Sequence, residues 1–138
     1  MKACLFVLVN FIAAITAQAQ YSNEIKIEKL LKTDTTETGQ HIDYPDIANE
    51  EVSVLKVTIP PGKSTGWHKH LFPVFAYVLQ GTLTVQQEHG KKIRFKKNTS
   101  VAESINMYHT GINEGKEAVV LIVFYMGEKD QPVSVKKE

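Results

Sequence analysis

The chain has one cysteine among 138 residues, Cys4. It sits ahead of the first apolar run, too early for a lipid-attachment cysteine. The chain beyond it has no disulfide framework and no thiol nucleophile. Charge imbalance is equally scarce: 16 Lys and Arg stand against 15 Asp and Glu, and Lys2 is one of the bases. A near-neutral chain exerts no long-range pull on nucleic acid or anionic lipid. Also missing are a sustained helical period, a low-complexity tract, an internal repeat, a phosphate loop, zinc-finger spacing and a Ser-His-Asp arrangement.

The first 19 residues carry an address. Lys2 gives a positive start, Ala3 to Ile15 form an uncharged apolar run, and Ala17 and Ala19 make an A-x-A site. That is the pattern of a secretory signal cleaved after Ala19, too short and wrongly flanked for a spanning helix; an uncleaved anchor is the alternative. The expected organisation is a signal peptide over 1–19 and a single domain over 20–138. The mature protein is then periplasmic or secreted and free of the membrane. Its roughly 119 residues suffice for a core without disulfides.

Short β-branched and apolar stretches recur through the rest, punctuated by Gly62, Pro73, Gly81, Gly90, Asn98 and Gly115. Strands at such spacing predict an all-β sandwich or barrel. Residues 23–33 alternate Ile25 and Ile27 with charges and read as an edge strand, a short helix being the alternative, and 33–46 as a polar loop. Val119 to Tyr125 is apolar on both faces, as in a strand buried inside the sandwich. The tail after Met126 is polar and reads as a mobile end. The lysines of 91–97 alternate with Ile93 and Phe95 and read as a solvated strand face.

His68 and His70 are two apart, so on a strand they share a face. Two such imidazoles can converge on one ion at about 2.0–2.1 Å each. His109, some forty residues on, is the natural third member. His41 and His89, in polar turns, are expected in solvent.

These residues resemble the two motifs of the cupin superfamily. The first, G-x5-H-x-H-x3,4-E-x6-G, matches Gly62, His68, His70 and Gly81. The second, G-x5-P-x-G-x2-H-x3-N, matches His109 and Asn113. Asn98 and Asn106 stand for its glycines, a mild change because Asn tolerates the left-handed backbone; Ser104 stands for its proline. The resemblance runs from about Glu50 to Gly127, the motif-bearing core. It implies a double-stranded β-helix, a jelly-roll barrel of two packed sheets. Where the motif has its glutamate this chain has Val74, which leaves either a three-histidine centre, as in the thiol dioxygenases of that superfamily, or a barrel that has lost its metal.

His68, His70 and His109 are therefore the expected ligands of a divalent transition metal: Fe, Mn, Cu, Ni or Zn. Glu103, the one acid on the strand leading to the His109 turn, is either a catalytic or ligating group inside the barrel or a rim residue. Val74, Ala76 and Val78 are expected to line the pocket. Trp67, Phe75, Tyr77 and Leu79 fall on the other face, an outer aromatic stripe that suits a homodimer. The functional expectation is a metal-dependent, dioxygenase-like oxidoreductase acting on a small anionic molecule, with isomerase or decarboxylase chemistry feasible on the same site. The alternative is a non-catalytic barrel that binds or senses a small molecule.

Overall fold

The computed structural model describes residues 24–138. The predicted signal peptide and its cleavage point lie outside the described residues. Among the described residues nine strands form two antiparallel sheets, and no helix is long and apolar enough to cross a membrane. The four-stranded sheet has the order β1 (Glu50–Ile59), β8 (Val119–Glu128), β3 (Val74–Gln80), β6 (Ser100–Ala102). The five-stranded sheet has the order β5 (Lys92–Lys96), β4 (Thr82–Gln87), β7 (His109–Ile112), β2 (His68–Lys69), β9 (Val135–Lys136).

Period-two alternation decides what goes inside. On β3, Val74, Ala76 and Val78 are buried while Phe75 and Tyr77 between them are half-exposed. Val119, Leu121 and Val123 of β8 and Val101 of β6 join them, and Leu83 and Val85 of β4 face them from the opposite sheet. The interior is built of β-branched and aliphatic side chains, which pack well on pleated surfaces.

Chain reversals fall at the residues that tolerate them. Gly81, between β3 and β4, has φ 77°, and a Cβ there would sit 2.8 Å from the Ala118 carbonyl oxygen. Asn98 and Asn106 have φ of 67° and 57°, so asparagine does take the left-handed conformation at both. Asn113 is fully buried; its amide donates to the Ile59 and Glu117 carbonyls at 2.8 Å each, tying the end of β1 to the loop before β8.

Four sequence expectations are corrected. Residues 24–33 form no strand: Ile25 and Ile27 are exposed, and residues 28–31 run past the outer face of β3, β6 and β8. No neighbouring strand offers that segment a ladder, so alternation alone did not make it one. The outer face of β8 is consequently only partly covered, and Phe124 is 40% exposed instead of buried. The polar loop contains a docked hairpin. Thr35 pairs with His41, and the Gln40 side chain accepts from Ile105 N–H and donates to its carbonyl, closing one end of the barrel. Finally, the tail is part of the five-stranded sheet. Val135 pairs with Lys69, Lys136 with His68, and the Lys137 N–H donates to the Trp67 carbonyl.

The lysine stretch behaves as a solvated face. Lys92 and Arg94 reach across to Glu114 at 2.7 and 3.0 Å, and with the Thr84 hydroxyl they hold that carboxyl down at about 2.

Candidate metal centre

The two histidine-bearing segments meet because β2 and β7 are neighbours, with His68 directly opposite His109. Cross-strand partners point to the same side of a sheet, here inward. His70 follows one residue past β2 and, bridged to Ile105, turns its ring to the same point. The three ring centroids lie 4.7 to 5.1 Å apart. His70 and His109 are fully buried, and His68 is half-buried.

Glu103 completes the group from the opposite sheet. It is 9% exposed, and its Oε2 lies 3.2 Å from His109 Nε2 and 3.4 Å from His70 Nε2. Its backbone explains how it got there. The β3–β6 register pairs Phe75 with Ala102, and the Glu103 N–H donates to the Val74 carbonyl at 2.9 Å. Glu103 is thus the cross-strand neighbour of Val74, on the same inward face. The carboxylate absent from position 74 is present one strand over. Of the two readings of Glu103, the inward one holds.

Hydrogen bonding sets the tautomers. His68 Nδ1 lies 2.8 Å from the Gly66 carbonyl, His70 Nδ1 2.8 Å from the Val133 carbonyl, and His109 Nδ1 2.9 Å from the Met107 carbonyl. A carbonyl only accepts, so each Nδ1 carries a proton and donates it. In the neutral ring each Nε2 is then left with a lone pair; those of His70 and His109 face Glu103 Oε2 directly, and His68 offers its donor atom within 4.8 Å of the group. Facing acceptors repel unless a proton or a cation sits between them.

Protons satisfy part of this. Burial pushes His109 down, but the hydrogen bond and charge of Glu103 more than reverse it, and its pKa ends raised. Burial pushes Glu103 up, but His109 and His70 together take it well below the usual carboxylate range. His68, desolvated and beside two other imidazoles, is lowered. A divalent ion suits the arrangement better. The four donor atoms all lie within 4.8 Å of one another, close to the span of ligands at about 2.0–2.2 Å from one ion. Three imidazoles and a carboxylate are first-row transition-metal donors.

A cavity of about 40 Å³ adjoins the group, walled by Val57, Leu83, Val85, Leu121 and Val123, with Thr65 and Tyr125 as its hydroxyl-bearing members. Val74, Ala76 and Val78, expected in this lining, are buried in the adjoining core and do not line the cavity. Tyr125 packs edge-on to His70, with centroids 5.5 Å apart. Burial, followed by the Glu103 charge, pushes its hydroxyl up to about 12, so it stays a neutral donor. Tyr125 and the Val133 carbonyl were not legible as site groups; the Val133-Ser134-Val135 alternation was the one available hint of a strand. His41 and His89 lie well away from the cluster at the surface, as their turns predicted.

Ser104, where the motif has proline, is fully buried and uses what proline lacks. Its N–H and hydroxyl both donate to Glu37 Oε1, at 3.2 and 2.8 Å. Gln87, opposite His109, donates to the same oxygen at 2.7 Å. Glu37 thereby ties the end hairpin to Ser104 and to Gln87 on the histidine-bearing sheet. Burial raises its pKa despite those bonds.

Two antiparallel sheets around a buried histidine–carboxylate cluster define a double-stranded β-helix with a candidate metal centre. The cupin-domain family model matches residues 55–125, and the chain belongs to the cupin family. Solved structures agree on the fold. An uncharacterized protein with a double-stranded β-helix domain from Klebsiella pneumoniae aligns at a TM-score of 0.54 and 17% identity, covering 86% of this chain and 90% of that one. The lyase DddQ of Ruegeria pomeroyi, a DMSP lyase, aligns at 0.55 and 16%, over 62% of this chain and 43% of the lyase. Oxalate decarboxylase of Lactobacillus farciminis, in complex with formate, aligns at 0.53 and 19%, over 62% of this chain and 26% of the decarboxylase. The chain therefore matches less than half of either enzyme's length. A search of curated proteins gives no match.

Proposed function

We propose that this chain is an exported metal-binding cupin in which His68, His70, His109 and Glu103 hold one divalent first-row ion. Fe, Mn, Cu, Ni and Zn all suit the donors. The observation that carries this reading is the gathering of three imidazoles and a buried carboxylate, their donor atoms within 4.8 Å of one another, with every Nδ1 proton committed to a backbone carbonyl. With Glu103 bound, the centre carries a net charge of about +1, which still favours an anionic ligand. The ion, when bound, supplies Lewis acidity and open coordination positions for a small molecule.

The residues around it set what can enter. Five aliphatic side chains exclude water, and Tyr125 offers an uncharged phenol as donor. A cavity of about 40 Å³ has room for only a few heavy atoms. Dioxygenase-like oxidation or decarboxylation of a compact anion fits this size, and the lyase and decarboxylase folds among its structural relatives support that range of chemistry. The same tightness favours a second reading, a non-catalytic module that binds or senses the ion or a small ligand.

Elemental analysis of the purified protein, wild type and with His68→Ala, His109→Ala or Glu103→Gln, tests the centre. About one equivalent of metal in the wild type, lost in both histidine variants, is expected; no metal in the wild type rejects the reading. Oxygen uptake or carbon dioxide release with small carboxylates then separates enzyme from binding module. The expected aromatic stripe is split, because Trp67 lies beside β2 in the five-stranded sheet; the patch that supports a homodimer is Phe75, Tyr77 and the exposed Phe124 on the outer face of the four-stranded sheet. Light scattering showing only monomer at high concentration would reject it.

A further inference from the structure

The three imidazoles are not oriented in the same way. The Nδ1 protons of His68 and His109 go to carbonyls two residues away along their own chain segments, Gly66 and Met107. That of His70 goes to Val133, 63 positions further along the chain. Two ligands carry their own orienting group; the third borrows one from the tail.

We propose that the C-terminal strand is the positioning element of the centre, so that docking of residues 129–138 and metal binding are one coupled equilibrium. This rests on the metal reading above. Backbone pairing to β2, the Lys137 N–H bond to Trp67 and the Lys137–Glu88 ion pair hold the tail. It buries little: Val133 is 38% exposed, and residues 136–138 are exposed. Elements with few buried apolar contacts open locally far more readily than the core. When the tail lifts, the buried His70 loses the acceptor for its Nδ1 proton. The ring is then free to carry the proton on Nε2, where it blocks the ligating lone pair. By linkage, whatever factor docking adds to metal affinity, metal adds to docking.

The test measures both directions of the coupling. Zn²⁺ and Co²⁺ affinities are compared by competition titration for the full chain, a chain ending at Glu128, and the full chain with Val135→Pro, which removes a strand donor. The expected result is a loss of about 10–100-fold in both variants, with the metal-free far-ultraviolet spectrum unchanged. Amide exchange of the 129–138 peptide in the wild type should slow when Zn²⁺ is added, by a factor matching the affinity loss. The exchange measurement needs no variant, so a misfolded truncation does not stand in its way. Variant affinities within twofold of wild type, or tail exchange indifferent to Zn²⁺, overturn the coupling while leaving the metal centre intact. A full chain that binds neither ion overturns both.

Discussion

At the scale of single residues, the centre turns on Glu103 and its neighbour Val74. Replacing Glu103 with Gln keeps the shape but removes the charge and weakens one ligand. Metal affinity should drop by one to two orders of magnitude, read by competition titration. Position 74 was legible as an anomaly because the histidine spacing fixes where a carboxylate belongs. Glu103 was legible as one of two readings, inside the barrel or on its rim; choosing between them needs the cross-strand register of the β3–β6 pairing, which linear spacing does not carry. The exchange Val74→Glu with Glu103→Val should accordingly keep more metal affinity than Glu103→Val alone. Protons compete for the same atoms. His109, raised above its ordinary value by Glu103, holds a proton more tightly than a free imidazole in the metal-free protein, and an ion bound there would compete with that proton. Apparent affinity should therefore rise with pH until His109 deprotonates and then level off. An affinity flat from pH 5.5 to 8.5 would show that no such proton is released. The same shift makes the His109–Glu103 pair stabilise the metal-free fold below the ordinary histidine value, with that contribution fading as pH climbs through the raised one.

Among the elements, those with one buried face were readable and those held by distant partners were not. The alternation on β3 and β5 showed which side turns inward, because a single buried face demands period two. Residues 24–33 showed the same alternation without a ladder to join, and the tail joined a ladder its polar composition did not announce. Both outcomes depend on which edge lies free in the finished sandwich. Turn chemistry was plain in the sequence and has a measurable cost. Gly81→Ala places a Cβ 2.8 Å from the Ala118 carbonyl oxygen at φ 77°, so β3–β4 must shift. A loss of about 2–4 kcal/mol in urea denaturation is expected. Asn98→Gly, by contrast, replaces one residue at home in the left-handed conformation with another and should change stability by less than about 1 kcal/mol.

For the whole molecule, the centre joins the two sheets. His68 and His109 belong to the five-stranded sheet, and Glu103 extends the strand of the four-stranded one. Saturating metal should raise the thermal midpoint: at a free concentration of about 100 times Kd, linkage adds about 2.7 kcal/mol. For a domain of this length that is a rise of roughly 10 °C, reversed by a chelator. Such an ion is also the one crosslink open to a chain with no cysteine after Cys4. Its effect should be lopsided in time. Opening the sandwich requires the ion to leave at least one sheet, whereas collapse can precede its arrival. Metal should then slow unfolding far more than it speeds refolding, giving a protein whose lifetime is set by how slowly an ion escapes.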